Sequence, residues 1–363
     1  MAKLLTFLGK GGTGRTTVTI AAAKQLANLG SRVLLVGGDP SPAFGLQLGL
    51  TPDREPQEIA ANLSVVQLQG TALLEQGWED LKKFEAEYLK SPTLKNVYGQ
   101  ELGILPGMDS ALALYAIREY RERGKYDIII YDGSGDLTTL RMLGTPEIFS
   151  WYIRRFRQIF QESDLGKAIS PFIQPVTSAI FNTSWTADDF GTEPRSNNML
   201  QEAQEAMADP KQVAAYLVTD RSPTAIATAK YLWGSAQQIG LTVGGVLLNR
   251  SNLQEDIKQE FTPLPVTSLP TLANNNWQPL IDALPNFRQG DTAPKPITVD
   301  IAKSQVKVFL PGFAKKDVKL TQYGPEITVE AGNQRRNILL PTQLRGRSVK
   351  GAKFSEGYLI ITL

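Results

Sequence analysis

Five short apolar runs punctuate the first 250 residues: Leu4–Leu8 (LLTFL), Arg32–Val36 (RVLLV), Tyr126–Tyr131 (YDIIIY), Ala214–Val218 (AAYLV) and Gly245–Leu248 (GVLL). Runs apolar on both faces, separated by helical stretches, predict a mostly parallel sheet covered by helices on both sides. The first unit is βαβ. Leu4–Leu8 is a strand, Thr17–Leu29 (TVTIAAAKQLANL) a helix with a small-residue face stopped by Gly30, and Arg32–Val36 a second strand ending in the turn GGDPSP.

Two stretches depart from this rhythm. WYIRRFRQIFQ (151–161) places Tyr152, Phe156, Ile159 and Phe160 at helical spacing with Arg154, Arg155 and Arg157 between them. SPFIQPVTSAIFNTSW (170–185) is apolar but broken by Pro171 and Pro175, and GTEPRSNN (191–198) reads as a loop. Residues of about 150–208 are therefore expected to form a helical insertion between strands. From Pro294 on, polar and apolar residues alternate. Turn signals recur at Pro311-Gly312, Gly324-Pro325, Gly332-Asn333, Gly346 and Glu356-Gly357, which predicts a small all-β sandwich. The expected organisation is an α/β domain over 1–285, a linker over 286–296 (NFRQGDTAPKP) and a β-sandwich over 297–363.

Composition narrows the chemistry mainly by exclusion. The chain has 363 residues, 42% hydrophobic and 20% charged, with a formal net charge of +2. Nothing in that balance draws it to nucleic acid or an anionic membrane. It contains no cysteine and no histidine. A disulfide, a thiolate nucleophile, a Cys/His zinc site and a histidine base are all excluded. The apolar start is too short for a signal-peptide core, and no run approaches the ~20 residues of a membrane span. A soluble cytoplasmic protein is the expectation, or one of the chloroplast stroma if the source is a plant.

Against that background GKGGTGRTT (9–17) stands out. The phosphate-loop pattern G-x-x-x-x-G-K-[ST] would run from Gly9 to Thr16 with lysine at 15. Position 15 is instead Arg, and a lysine stands early, at 10. Gly11, Gly12 and Gly14 would let backbone N–H groups approach phosphate oxygens, and the following helix adds its dipole. Thr16 offers a hydroxyl to Mg²⁺. A strand before, a helix after and Asp132 at the end of a later strand make a chance turn the weaker reading.

KGGTGRTT resembles the deviant Walker A loop, K-G-G-x-G-K-T-[ST], of the ArsA/GET and MinD-like ATPases. GGDPSPAFG (37–45) resembles the first switch of that group, with its D-P-A-H-S core. YDIIIYDGSGDLTTLRMLGTPEIFSWYIRR (126–155) is similar to the ArsA/GET second switch, D-T-A-P-T-G-H-T-L-R-x-L. LPGMDSALAL (105–114), DPKQVAAYLVTDRSPTAIATAKYLW (209–233) and VLLNRSN (246–252) follow in the family's order. The resemblance implies a P-loop NTPase that binds ATP and Mg²⁺. It makes Lys10 the signature lysine that reaches a dimer partner's phosphates. Gly11, Gly12, Thr13, Gly14, Arg15, Thr16 and Thr17 become the phosphate loop, with Thr16 a Mg²⁺ ligand. Asp39 orients the attacking water, Asp132 holds Mg²⁺ through water, and Asn249 reads adenine. Outside that company an Asp-Pro is a turn former and an Asn after a strand is a cap.

The departures qualify what is inherited. Arg15 keeps a permanent cation at the phosphates, on a larger planar fork. The second switch has Leu137 and Thr138 where the family has Gly-His, and the first has Pro42 where it has His. The intersubunit cysteine pair of the eukaryotic tail-anchor targeting ATPases is absent, so a homodimer is expected without zinc, and thiolate capture of arsenite is impossible. In the family the region after the second switch forms a groove for client transmembrane helices, here about 150–208. Trp151, Phe156, Phe160, Phe172, Ile180 and Trp185 are candidates to line it, core packing being the alternative. The tail, through VKVFLPGFAKKDVKL (306–320), EITVEAG (326–332), RRNILLP (335–341) and GAKFSEGYLIITL (351–363), resembles the α-crystallin domain of small heat-shock proteins. No I-x-I extension follows Leu363, so large shells are not expected. The expected function is an ATP-hydrolysing dimeric carrier of hydrophobic protein segments, with a membrane receptor as a further partner. A nucleotide-binding scaffold with little turnover and an anion-pump ATPase subunit are the alternatives.

Overall fold

The computed structural model describes residues 1–88, 96–105, 107–162, 202–252, 255–288 and 293–363. Its centre is an eight-stranded sheet of order β3-β4-β2-β5-β1-β6-β7-β8. The strands are β1 (Lys3–Leu8), β2 (Val33–Gly37), β3 (Gln57–Ala60), β4 (Leu63–Gln67), β5 (Ile128–Asp132), β6 (Val213–Thr219), β7 (Val243–Asn249) and β8 (Val266–Leu269). All pairings are parallel except that of the edge strand β3 with β4.

Period-two alternation sends each strand's side chains to two different cores. Leu4, Leu34, Ile129, Leu217 and Leu248 join Ile117, Leu140 and Trp233 on one face. Leu5, Leu35, Ile130, Val218 and Leu247 join Ile20, Leu26 and Leu280 on the other. The covering helices are α1 (Arg15–Asn28), α2 (Pro42–Leu48), α3 (Gly70–Tyr88), α4 (Met108–Glu122), α5 (Leu137–Glu162), α6 (Pro223–Gln238), α7 (Glu255–Glu260) and α8 (Gln278–Ala283), with a helical segment over 202–208. This is the mostly parallel, helix-flanked sheet of a P-loop NTPase.

Four boundaries differ from the strand and helix spans read from the sequence, and each matters for the site. Helix α1 begins at Arg15, because Gly14 takes a left-handed conformation (φ 86°) that turns the loop directly into the helix. Strand β5 extends to Asp132 and β7 to Asn249, so both polar residues end a strand. Helix α5 starts at Leu137 and runs 26 residues without a break. The stretch WYIRRFRQIFQ is therefore the continuation of the second-switch helix. Pro146 lies inside it and removes one rung of the hydrogen-bond ladder, but the helix carries on.

The segment read as a linker starts as core. Phe287 is fully buried, 5.8 Å from Phe7 and 4.7 Å from Tyr216 in edge-on contacts, and its carbonyl accepts from Lys3 Nζ at 2.9 Å. Beyond it lies the antiparallel sandwich. One sheet has the order β14-β15-β10-β9, from β9 (Ile297–Asp300), β10 (Gln305–Phe309), β14 (Gly351–Ser355) and β15 (Tyr358–Thr362). The other is β11-β12-β13, from β11 (Lys319–Tyr323), β12 (Glu326–Ala331) and β13 (Gln334–Leu339). Val306, Val308, Ile327, Val329, Leu359 and Ile361 fill the space between them.

The sandwich is seated on α6. Phe309 stacks edge-on to Trp233 at 5.6 Å and is part of the α/β core, and Phe313 meets Tyr231 at 5.7 Å. Tyr231 Oη donates to the Gly332 carbonyl at 2.8 Å. Arg336 Nη1 donates to the Gln237 carbonyl at 2.9 Å, at the last turn of the helix, where a cation complements the dipole. The seam is also polar: Ser235 Oγ, Gln237 Oε1 and both amide atoms of Gln238 are buried without a protein partner.

Candidate nucleotide site

The loop 9–14 leaves β1 at its C-terminal end, the edge where ligands bind in open α/β sheets. A side chain at Gly9 would place its Cβ 2.1 Å from the Val218 carbonyl oxygen, so only glycine lets the loop pass over β6. Thr13 Oγ1 donates to the Lys10 carbonyl at 2.8 Å and closes the loop on itself. No side chain caps α1 and no acid lies in its first turn. The N–H groups of that turn are thus open to an external anion. A Cβ at Gly11 or Gly12 would meet nothing within 4 Å, so the space over the loop is free. These features fit a phosphate chain.

Asp132 lies beneath the loop and is buried. Burial pushes its carboxyl above the ordinary value, against hydrogen bonds from Thr16 and Thr19 and the Arg15 charge, while nearby Asp39 adds to the rise. Thr19 Oγ1 donates to Asp132 Oδ1 at 3.3 Å. Thr16 and Asp132 are thus already in contact, a donor set of hydroxyl and carboxylate suited to a hard cation such as Mg²⁺. Among the described residues no group of three or more His, Cys, Asp or Glu forms a metal cluster of its own. Thr17 Oγ1 bonds Gln47 at 3.1 Å and ties α1 to the helix after the first switch.

Asp39 is exposed and accepts from Ser41 N–H at 2.8 Å, a local turn bond that fixes its carboxylate at the rim. A buried amide holds that turn from below: Gln67 Nε2 donates to the Asp39 and Ser41 carbonyls at 2.7 and 2.8 Å. Lys10 is exposed, its Nζ 3.4 Å from the Gly11 carbonyl. Arg15 turns away from the loop mouth. Its Nη1 donates to the Gly133 carbonyl at 3.1 Å, between Asp132 and Asp136, and burial lowers its pKa against those two charges.

Asn249, expected at the adenine ring, is engaged with the loop backbone. Its Nδ2 donates to the Thr13 carbonyl at 2.8 Å, and a Cβ on Gly14 would sit 2.3 Å from that nitrogen. Its neighbour Arg250, in a left-handed conformation (φ 56°), donates from Nη2 to the Gly12 carbonyl at 2.9 Å and to Asp220 Oδ2 at 3.2 Å. Sequence reasoning missed Arg250, Asp220 and Gln67. The first two lie inside quoted motifs (VLLNRSN, VTDRSP), but a lone Arg or Asp there carries no periodic signal.

The groove candidates are less completely described. Trp151 is half-buried on α5 and edge-on to the exposed Tyr152 at 5.0 Å. Phe156 and Phe160 lie on the same helix, with side chains outside the described residues; Phe172, Ile180 and Trp185 lie wholly outside them. No described helix is long and apolar enough to cross a membrane.

The fold is of the P-loop NTPase class, with its loop, buried acid and switch turns along one edge of the sheet. Residues 2–267 match the family model described as anion-transporting ATPase, and residues 302–363 match one described as an HSP20-like domain found in ArsA. The chain belongs to the anion-transporting ATPase family. A protein of Chlorobaculum tepidum that carries the provisional name arsenical pump-driving ATPase is 26% identical over 99% of this chain and 95% of its own length. A similarly named protein of Aquifex aeolicus is 23% identical over 99% of both chains. A protein of Malassezia globosa named ATPase GET3 is 28% identical over 47% of this chain and 48% of its own.

Proposed function

We propose that the chain is an ATP-hydrolysing, dimeric carrier of hydrophobic protein segments. The observation that carries this reading is the continuity of α5. One helix runs from Leu137, next to Asp136, which accepts from Thr138 N–H at 2.8 Å beside the nucleotide loop, to Glu162 within the region of about 150–208 read as the client groove. A movement at the phosphates is transmitted by a packed helix more directly than by a loop. Lys10, exposed, with its Nζ at the Gly11 carbonyl, would reach a partner's phosphates. Asp39, exposed at the rim, would orient water, and the uncapped first turn of α1 would bind phosphate oxygens. Mg²⁺ on Thr16 and, through water, on Asp132 would neutralise charge on the transferred group, in a reaction that rests on positioning and electrostatics.

Phosphate release from MgATP by the purified chain, beside Asp39→Asn, tests the catalytic half. Turnover in the parent that is lost in the variant is expected. Nucleotide-dependent capture of a transmembrane-segment peptide, with light scattering for the dimer, tests the carrier half. A second reading, a scaffold that binds nucleotide without turnover, is favoured by the inward position of Arg15. Tight MgATP binding with no release above the variant would establish it in place of the first.

A further inference from the structure

The second switch is closed in an unusual way. In the resembling family's pattern the place of Gly135 is taken by proline, and Arg15 by lysine. Here both differ, and the two residues touch. A Cβ on Gly135 would lie 1.7 Å from Arg15 Nη1 and 2.6 Å from its Cζ. A side chain or a proline ring at 135 and this guanidinium cannot share that space. Gly135 itself is left-handed (φ 62°), its carbonyl accepts from Gly9 N–H at 2.9 Å, and its N–H donates to Thr139 Oγ1 at 2.9 Å. The turn 133–135 is thus wrapped around the Arg15 head.

The route by which a terminal phosphate would be sensed is altered too. The family's Gly-His, whose glycine leaves a backbone N–H accessible, is replaced by Leu137-Thr138. The N–H of Thr138 is already taken by Asp136 Oδ1 at 2.8 Å, and the same oxygen accepts from Ser134 Oγ at 2.6 Å. The Thr138 N–H at the start of α5 is thus capped from within. The only loop cation that touches the second switch among the described residues is Arg15, through the Gly133 carbonyl.

We propose that Arg15 is a positioning residue that latches the second switch, its guanidinium seated on Gly135 and bonded to the Gly133 carbonyl, and that phosphate binding withdraws it from that seat and frees the turn. This rests on the reading of the loop as a nucleotide site. The side chain that neutralises phosphate then also reports its arrival, in place of the family's backbone contact. Arginine suits this double role because its planar fork bonds a carbonyl while spanning two carboxylates; a lysine head is a single point charge.

The test is hydrogen exchange at Gly135 and Thr138 in the full chain. In the nucleotide-free protein Arg15→Lys is expected to speed exchange at these amides about tenfold, the loss of one hydrogen bond from a charged donor. Gly135→Ala, which ejects the guanidinium, is expected to do the same, with circular dichroism confirming that both variants fold. Adding a non-hydrolysable MgATP analogue to the parent should bring its exchange to the Arg15→Lys level and leave that variant unchanged. Equal exchange in nucleotide-free parent and Arg15→Lys overturns the latch. So does a parent that binds the analogue by calorimetry with no change at 135 and 138. If the parent binds no analogue, the nucleotide reading fails, while the nucleotide-free comparison still decides whether Arg15 holds the switch.

Discussion

Replacing Asn249 by alanine separates two roles that one side chain could play. If it reads adenine, its loss weakens nucleotides that carry the base and spares ligands without it. In the structure it clamps the loop instead. Its Nδ2 bonds the Thr13 carbonyl at 2.8 Å, and the residue is 4% exposed. Deleting the amide removes a buried hydrogen bond and leaves a loop carbonyl unpaired, a cost of about 1–2 kcal/mol. The loop must recover its shape to bind phosphate, so that cost falls on binding and amounts to about 5–30-fold in Kd. Titration calorimetry with MgADP and with Mg-pyrophosphate reads it out. Both should weaken by the same factor, and Asn249→Asp, which points an oxygen at the Thr13 carbonyl, should weaken both further. A tenfold loss for MgADP with pyrophosphate unaffected would refute the loop-clamp reasoning and return Asn249 to the base.

Three further outcomes are expected from the same geometry. Burial holds the Asp132 carboxyl above its unfolded pKa, so ionising it costs stability at neutral pH. Asp132→Asn should therefore raise the Tm of the nucleotide-free protein, by about 2–4 °C for each kcal/mol relieved, with the gain shrinking as pH falls through the raised folded pKa and gone below the unfolded one. Gly234→Ala would bring a Cβ to 2.3 Å from the Pro311 carbonyl and 2.4 Å from Phe313. It should cost about 1–3 kcal/mol and split one calorimetric transition into two as the sandwich loses its seat. Gln67→Leu removes both bonds that hold the Asp39 turn, and should lower kcat for MgATP about tenfold with little change in KM.

The sheet and the sandwich were legible because their signals are local and repeated. Apolar runs marked β1, β2, β5, β6 and β7 to within a few residues. The sandwich turns fell where Gly312, Gly324, Gly332, Gly346 and Gly357 all take positive φ. What stayed hidden depends on distance in space. Phe287 sat in a polar, proline-containing stretch that reads as a tether, and only Phe7 and Tyr216, far away in sequence, make it core. The unbroken α5 crosses the boundary expected near residue 150 and passes through Pro146, and no local signal announces that continuity. The inward turn of Arg15 required Gly135, and the bond of Arg250 to Gly12 required a left-handed backbone at an arginine, which no spacing announces.

The seating of the sandwich on α6 bears on inheritance. A β-sandwich appended by a tether could be gained or lost by descent without consequence for the ATPase. This one lends Phe309 to the α/β core and relies on Gly234 to come close. A lineage that discards the sandwich bares Tyr231 and Trp233 to water and must replace them with polar residues, while the ban on side chains at 234 lifts. Relatives without the second domain should therefore differ from this chain along one face of a single helix, and that face is where the history of the fusion is written.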